Sequence, residues 1–198
     1  MLKRTFDLVT AGAFVFVCWP VYLLIAIGII LDSKGGVFYR QIRVGKQGVH
    51  FGLYKFRTMR VGSDKTGQLT IGEKDQRITR MGYWLRKTKL DELPQLLNII
   101  IGDMSVVGPR PEVPKYVAYY NEEQQQVLSV RPGLTDYASL AYIKENEILA
   151  ESANPEATYI NEIMPKKLEL NLTYIKEQNF WVDLKIIGKT LLKIVTTY

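Results

Sequence analysis

Residues Leu8 to Leu31, LVTAGAFVFVCWPVYLLIAIGIIL, form a run of 24 positions without a charge. A helix that long and apolar can cross a bilayer, because about 20 residues span the hydrocarbon layer. A secretory signal is the bland alternative. The run is too long for one, and no small-residue cleavage site follows it, so the segment is expected to be retained. Lys3 and Arg4 precede it; Lys34, Arg40, Arg43 and Lys46 follow it. Basic flanks favour the cytoplasmic side, so two of them favour both ends there. Pro20 lies mid-run, where it removes a backbone donor and bends a helix. Two half-helices of about 12 residues would each rise about 18 Å, enough to enter one leaflet and return. From these residues alone, re-entrant and spanning arrangements both remain open.

The rest of the 198-residue chain suffices for one ordinary domain. A formal charge of +6 points to an anionic partner: nucleic acid, a phosphate-bearing ligand or an acidic membrane face. Cys18 is the only cysteine and His50 the only histidine. Disulfides, cysteine-rich metal sites and histidine-based triads are thereby excluded. Catalysis here must use carboxylates, lysines, arginines, hydroxyls and a hard metal ion.

Val37–Val44 and Val49–Phe56 read as strands joined by Gly45-Lys46-Gln47-Gly48, a hairpin. The polar stretch from Val61 to Gly72 reads as a mobile loop. Ile78 to Thr88 is expected to be a short basic helix. In LDELPQLLNIIIGD, Leu93, Leu96, Leu97 and Ile100 keep helical spacing, Pro94 suits a first turn, Gly102 a stop, and Asp91 an N-cap. Met104 to Pro114 is expected to be a structured loop and Lys115 to Val130 a helix. Asn154-Pro155 reads as a cap before the last helical region. That region ends in FWVDLKIIGKTLLKIV, with Lys185, Lys189 and Lys193 at four-residue spacing. Such a basic amphipathic helix suits an anionic membrane surface; the alternative is a core-facing helix with a solvated lysine face.

The chemistry concentrates at Asp91-Glu92. As a cap and a first-turn acid, the pair would need no further explanation. Yet a helix N-terminus attracts phosphate, and Arg86 and Arg110 stand on either side in sequence. Arg110 is held between Pro109 and Pro111, a pre-set fork for phosphate oxygens. Adjacent carboxylates without histidine suit Mg²⁺, which shares oxygen ligands with substrate phosphates. A carboxylate can also attack phosphorus and form an acyl phosphate. The residues therefore point to phosphoryl transfer at a membrane surface.

These blocks resemble the bacterial sugar transferase family, the small monotopic phosphoglycosyl transferases. The resemblance rests on Lys3-Arg4-x-x-Asp7, FYRQIRVGKQGVHFGLYKFRTM, DQRITRMGYWLRKTKLDELPQLLNIIIGDMSVVGPRP and Arg131-Pro132-Gly133-Leu134-Thr135. It implies an α+β, mainly helical protein: a re-entrant membrane helix-hairpin at 1–32, and at 33–198 a cytoplasmic-face catalytic domain with a small β-hairpin and interfacial amphipathic helices. It implies an enzyme of the bacterial inner membrane that uses Mg²⁺. Asp91, nucleophile and metal ligand, would attack the β-phosphate of a UDP-sugar, releasing UMP. Polyprenyl phosphate, as undecaprenyl phosphate, would then take the phosphosugar to begin glycan assembly. Glu92 completes the dyad, as a metal or an orienting group. Arg86 and Arg110, with Pro111 beside it, would hold phosphate, and Lys55 and Arg57 are further candidates.

Two departures stand out. Trp19-Pro20 occupies the place of the family's frequent Ser-Pro, and Asp136 and Ser139 replace Gly and Gln in Gly-x-Ala-Gln, so the sugar is not read from the family. The expected partners are a UDP-sugar, polyprenyl phosphate and an anionic inner leaflet, with a homodimer left open. A non-catalytic membrane scaffold of a glycan assembly complex is the alternative, disfavoured by the intact Asp91-Glu92 and arginines. A nucleic-acid binder would interleave aromatics with Lys and Arg on an exposed surface, and no nucleic-acid partner is expected.

Overall fold

A computed structural model describes residues 2–63 and 75–197. Helix α1 (Leu2–Asp32) carries the apolar run and stays helical through Pro20, so the expected division into two separate half-helices is not seen. Strands β1 (Phe38–Val44) and β2 (His50–Phe56) pair antiparallel from Phe38↔Phe56 to Val44↔His50, as the turn glycines predict. Gln47 and Gly48 take positive φ at the tip, the conformation a tight strand reversal needs. Helix α2 (Arg80–Lys87) is capped by Thr79, whose hydroxyl accepts from the Gly82 amide. Of the stretch Val61–Gly72, expected to be a mobile loop, residues 64–72 lie outside the described residues.

Asp91 is not an N-cap. Leu90–Glu92 is a 3₁₀ turn entered through Lys89 at φ 57°, and α3 (Gln95–Ile101) begins only after Pro94. The left-handed Lys89 makes a reversal that pure helix periodicity cannot signal, and such non-glycine outliers gather at functional sites. Gly102 ends α3 at φ 103°, as expected.

The anticipated loop after Met104 contains a short strand, β3 (Ser105–Val107). The stretch Lys115–Val130 is not one helix: it breaks into α4 (Pro114–Val117), α5 (Glu122–Gln125) and a 3₁₀ turn. Asn121 causes the break, because with Gln124 it closes a capping box that starts α5 afresh. Strand β4 (Gly133–Thr135) pairs parallel with β3. There follow α6 (Tyr137–Ala141), α7 (Glu145–Glu151), α8 (Pro155–Thr158, capped by Asn154 as predicted), α9 (Met164–Glu177) and α10 (Phe180–Thr197). The described residues are thus mainly helical, with two small sheets among them.

Both ends of α1 are fastened to this body. Near its start, Lys3 donates to Val107 O and Asp183, Arg4 to the Ile99 and Ile100 carbonyls, and Asp7 accepts from Val106 N and Ser105 Oγ. Near its end, Asp32 accepts from Met81 N at 2.9 Å, and Ile25 and Ile29 pack with Phe56 and Leu85. Between these anchors Phe14, Phe16, Val17 and Trp19 are exposed. Helix α10 buries Ile186 and Asp183 while leaving Trp181, Leu191 and Leu192 exposed. Lys193, one of the three lysines at four-residue spacing, is turned inward and donates to Leu140 O at 2.7 Å.

Candidate active site

The turn bearing Asp91 and Glu92 is placed by the elements around it. Asn98, buried on α3, accepts from Tyr54 N at 2.9 Å and donates to Gly52 O at 2.9 Å. That bond pair fixes β2 against α3 and sets Lys55 beside the turn. Gly82 lets α2 meet the backbone at Thr58, where any Cβ would lie 2.0 Å from the carbonyl oxygen. One turn on, Arg86 Nε reaches Thr58 Oγ1 at 2.9 Å. The Gly108-Pro109-Arg110-Pro111 loop is held by β4, with Gly108 N donating to Thr135 O and Gly133 N to Pro109 O. A Cβ on Gly133 would lie 2.1 Å from Gly108 N, which explains why these two glycine-bearing motifs occur together.

The geometry separates the two adjacent carboxylates. Glu92 is saturated: Arg110 grips it with both terminal nitrogens, and Lys55 Nζ donates at 3.1 Å. Burial opposes its charge, but Arg110 and then Lys55 outweigh this and hold the carboxyl far below the usual range. In return Glu92 raises Arg110, while burial lowers the Lys55 ammonium. Asp91 is 7% exposed and accepts no hydrogen bond from a described residue. Burial pushes its carboxyl upward and Glu92 adds to this, against the opposing pull of Lys55, Arg86 and Lys89. One carboxylate is therefore committed to organising cations, and the other is left open for a ligand.

Asp91, Glu92, Arg86, Arg110, Lys55 and Arg57 line one cavity of about 1340 Å³. Arg57 nonetheless spends its guanidinium on Gly36 O, Ser33 Oγ and Ser33 O, clamping the segment after α1 rather than facing a ligand. Pro111 is buried; its carbonyl accepts from Arg43, which also pairs with Glu112. In sequence Arg43 reads only as part of the basic flank of the apolar run, and its contact across 68 positions leaves no local signal. Asp136 is 0% exposed and accepts from Arg110 N at 3.1 Å and Ser139 N at 2.7 Å. It thereby caps α6 and fixes the peptide of Arg110 at once; in sequence it was visible only as a departure from the family pattern.

Among the described residues no cluster of three acidic, histidine or cysteine side chains could hold a metal by itself. Mg²⁺ does not need one, since it is commonly held by one or two carboxylates together with substrate phosphates. The unpartnered Asp91 carboxylate meets that requirement, whereas Glu92 is already engaged.

A buried carboxylate without a hydrogen-bond partner among the described residues, beside fixed cations and on a body fastened to an apolar helix, is chemically suited to phosphate-bearing ligands. The profile of the bacterial sugar transferase family matches residues 1–197, and the chain belongs to that family. It is 39% identical over 198 residues to an uncharacterized sugar transferase, EpsL, of Bacillus subtilis, spanning all of this chain and 89% of that protein. It is 35% identical over 201 residues to the UDP-glucose:undecaprenyl-phosphate glucose-1-phosphate transferase of Escherichia coli, covering 98% of this chain but 40% of that one. A UDP-N-acetylgalactosamine-undecaprenyl-phosphate N-acetylgalactosaminephosphotransferase of Aeromonas hydrophila is 34% identical over 200 residues, covering 100% of this chain and 44% of that one. The chain thus spans under half the length of these two relatives of assigned activity.

Proposed function

We propose that this protein transfers a sugar-1-phosphate from a UDP-sugar to a polyprenyl phosphate through a phosphosugar carried on Asp91. The observation that carries the reading is the division of labour between the adjacent carboxylates: Glu92 is bound by Arg110 and Lys55, and Asp91 accepts no hydrogen bond from a described residue. The names of the relatives, acting between UDP-sugars and undecaprenyl phosphate, supply the substrate class.

Asp91 would bond through a carboxylate oxygen to the β-phosphorus. The bridging oxygen would leave with its electron pair on UMP. An oxygen of the lipid phosphate would then bond to the same phosphorus and expel the Asp91 carboxylate. Arg86 and Arg110 would face the non-bridging oxygens, where fixed cations stabilise developing charge. Glu92 would keep Arg110 and Lys55 oriented. Mg²⁺, held by Asp91 and the diphosphate, would offset the repulsion between carboxylate and phosphate. A lipid phosphate is already ionised near neutral pH, so no histidine base is needed.

The test is UMP release from a panel of UDP-sugars with undecaprenyl phosphate and Mg²⁺. Lipid-dependent release from one donor, abolished by chelation and restored by Mg²⁺, is the expected result. A folded protein that releases no UMP from any donor would favour the scaffold alternative.

The same reading places residues 1–32 in the cytoplasmic leaflet of the bacterial inner membrane, entering and leaving on one side, with 33–198 as the catalytic domain on the cytoplasmic face. Its support is that Lys3, Arg4 and Asp7 at one end of α1, and Asp32 at the other, all bond to one body. A straight helix of 31 residues would hold its ends about 45 Å apart. The exposed Trp181, Leu191 and Leu192 would lie at the interface beside it. With Cys18 replaced by serine, cysteines introduced at Leu2 and Lys34 are expected to react together with an impermeant reagent from the cytoplasmic side. Labelling from opposite sides would rule out the re-entrant arrangement.

A further inference from the structure

The cavity that contains Asp91 has three chemically distinct parts. Lys55, Arg86 and Arg110 make one part cationic. Phe6 and Phe14 of α1, with Ile187 and Leu191 of α10, make a second part apolar. The third is neutral and polar: Ser139 and Tyr142 from α6 and its end, and Asn146 from α7. Among the described residues none of these three side chains makes a hydrogen bond or ion pair, although all three face the cavity.

That third wall is mounted rather than loose. Asp136 joins its first residue to the phosphate-facing loop, through Ser139 N and Arg110 N. Lys193 of α10 holds the Leu140 carbonyl at 2.7 Å. The Tyr142 ring packs on the core cluster around Val113, Tyr159 and Leu149. Glu145, which could have made the wall anionic, is paired with Lys167 at 2.7 Å. Glu145 and Lys167 thus offset each other at the cavity wall, and hydroxyl and amide groups on a fixed frame face the cleft beside them.

Resting on the transferase reading above, we infer that Ser139, Tyr142 and Asn146 form the surface that reads the sugar of the donor. Position decides between the sugar and the nucleoside. The wall is tied through one side chain to Arg110, and Arg110 grips Glu92, the neighbour of Asp91. It therefore starts beside the phosphorus that Asp91 attacks. The sugar is bonded to that phosphate directly, whereas the nucleoside lies one further phosphate away. Chemistry agrees: a sugar offers many neutral hydroxyls and an apolar ring face, which suit hydroxyl, amide and aromatic groups rather than cations. A site that hydrogen-bonds substrate hydroxyls also discriminates strongly against analogues lacking them. This assigns donor choice to a segment in which the chain departs from its family, at Asp136 and Ser139.

The experiment compares wild type with Tyr142→Phe, Asn146→Ala and Ser139→Ala, singly and combined, in detergent. Two quantities are read: the KM for the accepted UDP-sugar, and the inhibition constant of UMP, which lacks the transferred sugar. The expected result is a KM raised about tenfold or more in the combined variant and an altered ranking among UDP-sugars, with the UMP constant unchanged. A UMP constant that rises in step with KM would assign the wall to the nucleoside and overturn the inference, as would no change in either. If wild type turns over no donor, calorimetric binding of UDP-sugars against UDP still decides. A tighter fit for one UDP-sugar that the combined variant loses supports the wall while the transferase reading fails. Equal binding of UDP and every UDP-sugar overturns it.

Discussion

Replacing Asp91 with asparagine is expected to cut UMP release by about a thousandfold or more while leaving the protein folded. The size of the effect follows from deleting a nucleophile, for which losses of several orders of magnitude are the norm. The preserved fold follows from the local geometry. Asp91 is buried but accepts no hydrogen bond from a described residue, so asparagine of nearly equal volume disrupts no internal contact. Burial already resists the charge of this carboxylate, which is a further reason for the neutral amide to be tolerated. The check is direct. Without lipid acceptor, donor labelled in its sugar should leave label on wild-type protein and none on Asp91→Asn. A variant that turned over donor normally would end the covalent mechanism.

Glu92→Ala carries the second large effect, and it strikes stability as well as activity. Glu92 joins Arg110 and Lys55, which meet on its Oε1 from segments 18 and 37 positions away. Its removal leaves two partly buried cations without their shared partner. Losing hydrogen bonds to a charged group of this exposure costs about 1.5–3 kcal/mol. The variant should unfold at distinctly lower temperature or denaturant, and its turnover should fall because Arg110 loses its orientation. Glu92→Gln, which keeps one acceptor oxygen, should lie between the two. Unfolding in detergent measured beside UMP release separates the outcomes. A Glu92→Ala protein as stable as wild type would show that the cluster serves ligand binding only.

How much of this could be read in advance depended on the range of the interaction. The hairpin of β1 and β2 was legible because Gly45 and Gly48 bracket a turn between two apolar-rich stretches, but the structure pairs Val44 with His50, so Val49 belongs to the turn and not to the strand. Asn154-Pro155 and Gly102 announced a helix start and a helix end through local chemistry. The stretch from Lys115 to Val130 reads as one helix because the capping box of Asn121 and Gln124 is made of residues that also suit a helix interior or surface. Asp91 reads as a cap because helix spacing resumes nearby, yet the positive φ of Lys89 reverses the chain first. Arg57 and Lys55 stood two residues apart and looked alike. One was drawn to Ser33 after α1 and the other to Glu92.

The sequence by itself determined that this chain has an apolar segment of membrane length, an Asp-Glu pair flanked by arginines, and the motifs of the bacterial sugar transferase family. Those properties are additive in composition, spacing and motif, so they survive reading along a line. The tertiary structure decided which carboxylate organises the cations and which stays open. It also decided that both ends of α1 meet one body, and that Asp136 supports Arg110 as well as capping a helix. These depend on pairings between residues tens of positions apart. Such a pairing forms only where packing of the intervening elements brings a charge and its partner within about 3 Å in a site water has left, and no local pattern records that distance.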